Sequence, residues 1–380
     1  MDLCARPQSF IQAICIAITL SVGVMGCGTE SSGPPTATTP ALNSANATSV
    51  DFDVKILSNF VDNVVIPNHM SFATQAKSLA AALDTLAKAP NEANLKAAQS
   101  AWREARAPWE QSEGFAFGPA TFAGYDGALD SWPVNENDFK AMLASSTSLN
   151  AERIRNMSET EKGFHVIEYF LFGSQNNRQV SDLKPRDLQY VKLLGQAFAT
   201  TANDLLQSWT KGGDGRPAYR EVFVTAGKES NVAYPTVSAA MSEMIQGMLD
   251  SLDEVANEKM HEPFVKKDSK LAESRFSQHT LTDMKHNIQG AQNIYLGSFT
   301  GSNGSANGLS TLVAQTQPDM DVTVKAQFQT AMTAMEKIPA PFETAIQDPQ
   351  SAASIEAAVA AINEVRKTIE TQVKPLVVKS

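Results

Sequence analysis

Cysteine is almost missing from this chain. Of its 380 residues only three are cysteine, at positions 4, 15 and 27, so no disulfide framework and no thiolate metal site can be built in the folded part. Basic charge is short as well: 31 Lys and Arg against 41 Asp and Glu leave a formal net charge of −10. That deficit excludes the broad basic surface of a general nucleic-acid binder. It leaves room for a hard cation, for which carboxylates are the natural hosts. Sustained alternation of apolar and polar residues over strand lengths is absent too. What remains is 43% hydrophobic and 19% charged, a globular composition, and the length suits two domains or one large one. Aromatics are only 7%, and frequent alanine leans the chain towards helix.

The N-terminus reads as an address. Phe10 to Gly26 is apolar, interrupted only by Gln12, Thr19 and Ser21, which is too short and broken for a spanning helix. With Arg6 ahead of it, the stretch predicts a secretory signal over residues 1–26. Its end, Val24-Met25-Gly26-Cys27, resembles a bacterial lipobox and predicts lipid on Cys27. Gly28 follows instead of Asp, which in such lipoproteins favours the outer membrane. Residues 27–52 are rich in Ser, Thr, Pro, Asn and Gly and predict a tether that cannot bury enough surface to fold.

From about Val54 the period is helical. Phe72, Ala76, Leu79, Leu83 and Leu86 step by three and four; Leu95, Ala98, Trp102, Ala105 and Trp109 resume the stripe after Pro90. Met241, Met244, Ile245, Met248, Leu249, Leu252, Val255 and Ala256 give the cleanest stripe, which Pro263 is expected to end. Ile355, Val359, Ile362, Ile369 and Val373 repeat the pattern near the C-terminus. The expected fold is all-α. Two four-helix-bundle-like domains are predicted, 53–185 and 186–380, each long enough for a bundle.

Three regions could carry chemistry. In Gly163-Phe164-His165-Val166-Ile167-Glu168, imidazole and carboxylate stand three apart and share one helical face. Such a pair is half of a nitrogen/oxygen metal site, or a plain helix-surface pair. No second His stands one turn on, so the zinc-protease pattern HExxH is not met; Glu258 and His261 offer a weaker ExxH. In the second region Trp102, Arg106, Trp109 and Glu113 follow helical spacing, and a charge on an aromatic stripe must be paired or bind something. Asp126 and Asp130 could add oxygens or be solvated turn residues. The third region holds Glu273, Ser274 and Ser277, with Ser274 read as a helix cap by default. His279 and His286 lie on one face, and His69 has no obvious companion.

Taken together these blocks resemble the imelysin family. The GxHxxE signature falls at Gly163, His165 and Glu168, followed by Leu171-Phe172-Gly173. An aromatic block matches at Trp102, Arg106, Trp109, Ser112, Glu113, Phe115, Phe117, Gly118 and Pro119, and a further one at Asp126, Asp130, Trp132 and Pro133. Glu273, Ser274, Phe276, Ser277, Thr280 and Asp283 match in the second half. The resemblance implies two helical bundles that are diverged repeats, with a site near their interface. It also implies an exported bacterial protein, often a lipoprotein, associated with iron acquisition.

The expected function is binding of iron, or of an iron-bearing partner, at the cell envelope, on the periplasmic or outer face; zinc is the second metal considered. The expected ligands are His165, Glu168, Glu113, Asp126 and Asp130. Arg106, Trp109, Ser112, Gly163, Glu273, Ser274 and Ser277 are expected to support them. The family carries a peptidase name, yet no complete catalytic ligand set is visible. A metal-dependent peptidase using the HxxE pair and a metal-free, partner-binding helical module are the alternative readings.

Overall fold

The structure is a computed structural model, and it describes residues 54–213, 215–299 and 307–378. The signal segment, Cys27 and the tether lie outside the described residues, as do positions 300–306 of the Gly/Ser/Asn-rich loop. The described residues are helical, without a strand; Gly213 and Arg216 form a single bridge. No helix among them is long and apolar enough to cross a membrane.

The longer helices are α1 (Ile66–Lys88), α2 (Glu92–Glu110), α3 (Tyr125–Asp130), α4 (Glu136–Ala144), α5 (Phe164–Phe172), α6 (Pro185–Thr210), α7 (Tyr219–Val224), α8 (Val237–Asp253), α9 (Thr280–Leu296), α10 (Leu309–Thr316), α11 (Pro318–Glu336) and α12 (Ala352–Thr368). Their ends follow local chemistry. The Asn91 side chain accepts from Asn94 N and starts α2, and Thr236 does the same for Ala239 N at α8. Pro185 and Pro318 open α6 and α11, where a missing N–H costs nothing. Gly297 closes α9 in the left-handed region at φ 76°.

The stripes read from the sequence are buried. Phe72, Ala76, Leu79, Leu83 and Leu86 face inward on α1, and the Met241-to-Ala256 stripe is buried throughout. In the last stripe Ala358 is buried, whereas Val359 is only half-buried. α1 packs mainly on α6 and α2, with α5 against α2 and α6. A second set forms around α8, α9, α11 and α12. The two sets meet where α9 touches α2, and where α8 and α9 touch the short turn Glu113–Phe115. The described residues belong to one compact unit.

Two glycines permit that seam. A Cβ at Gly247 would stand 2.4 Å from Gly114 O, and one at Gly290 would stand 2.4 Å from Gln111 O. Only hydrogen side chains on α8 and α9 let the 111–114 backbone come this close.

Pro263 does not end the long helix, contrary to the sequence expectation. α8 runs into a wide π-turn stretch, Glu254–His261, and then into Glu262–Lys266. The Glu262 N–H bonds back five residues to Asn257 O. Pro263 therefore falls just beyond a shifted hydrogen-bond ladder, at the first turn of the next segment, where its missing donor is tolerated. The shift also decides where Lys259 points, and Lys259 is buried.

Candidate functional site

A buried arginine on α2 is the centre of the site. Arg106 is fully buried, one turn before Glu110, with which it forms an ion pair. It also reaches Asp130 at 2.7 Å, Asp283 at 3.3 Å and Glu273 at 3.4 Å. Its guanidinium lies 4.8 Å from the Phe164 ring centroid, so aromatic cover keeps water away. Burial alone would ease its proton off, but the surrounding carboxylates outweigh burial and hold the proton more firmly than usual.

Lys259, delivered by the π-turn stretch, is the second cation. Its Nζ stands 3.1 Å from Glu273 and 3.5 Å from Glu110. Asn287 on α9 donates to Glu110 Oε2 at 2.7 Å. Elements far apart in the chain thus converge on one buried charge cluster.

His165 joins the cluster from α5. Gly163 opens that helix at φ 87°, and a Cβ there would lie 2.6 Å from Leu129 O, so only glycine lets α5 abut the end of α3. The ring is then held at both nitrogens: Nδ1 by Glu168 Oε2 at 2.9 Å, and Nε2 facing Asp130 Oδ1 at 3.2 Å. Burial would lower its pKa, yet Asp130 and Glu168 prevail and raise it to about 10. In return Asp130, despite its burial, is held far below the usual carboxylate range by Arg106 and His165. Trp109 Nε1 completes that carboxylate with a 2.6 Å hydrogen bond.

Glu168 has no free oxygen. While Oε2 takes the imidazole, Oε1 accepts from both the backbone N–H and the hydroxyl of Ser277, each at 2.7 Å. Glu168 is thus the second carboxylate on the imidazole, after Asp130, and it fixes the orientation of the ring. Ser274 donates to Asp283 and does not cap a helix, because α9 begins only at Thr280, six residues later. Ser112 is buried and spends its hydroxyl on the Trp109 carbonyl at 2.6 Å.

The cluster holds more acids than cations. Glu110, Glu113, Asp130, Glu168, Glu273 and Asp283 face Arg106, Lys259 and the protonated His165. Burial, against the pull of Arg106, raises Glu110 to about 8 and Asp283 to about 7. Glu113 is pushed well above the carboxylate range, first by burial, against the pull of Lys259, with Glu254 and Asp126 adding to the rise. Part of this cluster therefore keeps protons near neutrality, protons that a cation could replace.

Two groups of ligand atoms lie within 4.8 Å of one another: Asp130, His165 and Glu273, and Glu110, Glu113 and Asp130. Of the ligands expected from sequence, His165, Glu168 and Asp130 are thus together, and Glu113 borders them through Asp130. Glu113 lies past the end of α2, in the turn Glu113–Phe115, and not on the helical face its spacing suggested. Asp126 is exposed, a turn before Asp130 on α3. Glu258 and His261 are also exposed. Glu110, Lys259 and Asn287 were missed by the sequence reading. Only Glu110 had a signal, its i,i+4 spacing from Arg106.

Known proteins resemble this chain in sequence and in fold. The family model described as Imelysin (peptidase M75) matches residues 65–369. Iron-regulated protein A of Synechococcus elongatus is 39% identical over 322 residues, covering 84% of this chain and 86% of its own. A solved structure from Parabacteroides distasonis, described as an iron-regulated protein A precursor, superposes with a TM-score of 0.77 at 26% identity, over 86% of this chain and 95% of that one. An imelysin-like protein from Psychrobacter arcticum shares the fold, with a TM-score of 0.70 at 15% identity, over 86% of this chain and 96% of that one.

Proposed function

The chain belongs to the imelysin family, and from that premise we propose that it handles iron by taking the cation as cargo into the buried cluster around Asp130, His165 and Glu273. The observation that carries this reading is the unbalanced donor set. One imidazole nitrogen and two carboxylates converge within 4.8 Å, in a cluster where acids outnumber cations. A nitrogen/oxygen set of this kind suits iron, with zinc as the second choice.

The residues divide the work by geometry. Glu168 and Ser277 hold the His165 ring so that Nε2 is the nitrogen aimed at the cation position. Asp130 and Glu273 supply oxygens, and Glu113, partly exposed, stands at the outer edge with Asp126 and Glu254 nearby to attract a cation. Arg106 and Lys259 keep the carboxylates apart and soluble in the core when no cation is present. Loading must expel the His165 proton and those shared among the raised acids, so uptake is proton-linked. The relatives' names, which speak of iron regulation, support the choice of metal.

The proposal extends to the setting. Cys27 is the lipid anchor of an envelope protein, residues 27–52 are its tether, and the outer membrane is its membrane. The two helical sets are diverged bundles. They correspond to residues 53–185 and 186–380, with α6 of the second packing back onto α1 of the first.

The test is thermal unfolding of the purified chain with Fe(II), Fe(III) and Zn(II). A cation that binds the folded state raises the midpoint with concentration. The rise is expected with wild type, absent in His165→Ala and Glu273→Gln, and weakened roughly 10- to 100-fold in affinity by Glu168→Gln, which only orients the ring. No rise with any of the three metals would overturn the reading.

A further inference from the structure

A cavity of about 350 Å³ opens beside α3. Its walls come from α3, α6 and the 151–163 segment, and its back includes Gly163. The lining is mixed: Ala128, Ile154, Leu194, Ala197 and Phe198 give it an apolar side, and Gln196, Thr200 and Thr201 add polar groups. The volume is in the range of small-molecule pockets, which combine an apolar body with a few placed polar groups.

Two cations stand at its rim. Arg155 is exposed and makes no side-chain ion pair among the described residues, and Lys162 Nζ reaches only the Arg155 carbonyl, at 3.4 Å. Arg155 and Lys162 are thus two basic groups beside the cavity without a carboxylate partner among the described residues, in a chain whose formal net charge is −10. Asp204, from α6, is the one acid among the lining residues. Charge complementarity therefore selects an anion, and the apolar walls select one with a hydrocarbon body.

We propose that this cavity binds a small amphiphilic carboxylate, its chain against Leu194, Ala197 and Phe198 and its acid group on Arg155 and Lys162. The site does not depend on metal binding. Its location gives it reach, however, because α3 carries Ala128 to the cavity and Asp130 to the cluster.

Calorimetric titration of the metal-free full chain with octanoate, below its micellar concentration, tests the proposal, with octylamine, octanol and acetate as controls. One octanoate per chain is expected, with at least tenfold weaker binding of each control. Arg155→Gln/Lys162→Gln should weaken octanoate at least tenfold, and Ala197→Phe, which fills the half-exposed cavity wall, should abolish it. Circular dichroism and the unfolding midpoint confirm that each variant is folded. Absence of octanoate binding, equal binding of octanol or octylamine, or binding that survives both variants would overturn it.

Discussion

At Arg106, one fully buried side chain answers four carboxylates. Replacing it with methionine keeps much of the volume and removes the charge. Breaking one partner of a buried ion pair costs about 3–5 kcal/mol, because the abandoned charges remain buried. Urea unfolding near neutral pH should show Arg106→Met destabilised by that order, with part of the loss recovered in acid as the carboxylates protonate. The histidines make a second, signed prediction. His165 has a folded pKa raised from 6.5 to about 10, so its contribution is full below 6.5 and is lost as pH rises towards 10. His69 is buried between Phe115 and Trp209, its pKa lowered from 6.5 to about 3 by burial, so its contribution is lost as pH falls through that window. Unfolding midpoints across pH should therefore flatten on the alkaline side in His165→Gln and on the acid side in His69→Leu. The motif residues His165 and Glu168 were legible from their spacing; that Glu168 has both oxygens occupied was not, because Ser277 approaches from more than a hundred residues away.

Among the elements, the sequence disclosed the helices through their apolar stripes, since a period of 3.6 repeats wherever one face is buried. It did not disclose departures from that period. The π-turn stretch Glu254–His261 brings Lys259 into the cluster and carries the helix past Pro263, and neither effect has a signature in residue spacing. The short turn Glu113–Phe115 was hidden for the same reason. Close approaches were equally silent: Gly247 and Gly290 look like ordinary glycines until their neighbours are placed, and Gly163, though part of the GxHxxE signature, gave no sign of its approach to Leu129. Gly290→Ala would drive a methyl into the Gln111 carbonyl. Overpacking of this kind costs about 1–3 kcal/mol. Chemical denaturation should show that loss, and the cation affinity should fall with it, because Gln111 follows Glu110 directly. Gly163→Ala combines a positive φ with a clash and should be the more damaging of the two.

For the whole molecule, the account joins three facts: an all-helical imelysin fold, a buried cluster at the contact of two helical sets, and an excess of acids over cations within it. An apolar core would be easier to build than this cluster, since burying charges is costly even when they are paired. A cation whose arrival replaces held protons gives that cost a use. The decisive measurement is calorimetric titration with Fe(II) near neutral pH, repeated in buffers of different ionisation enthalpy, which counts protons released per metal bound. The account predicts binding with release of about one proton or more, and loss of that release in His165→Gln. Binding without proton release, unchanged in His165→Gln and Glu273→Gln, would contradict it, and so would no binding at all.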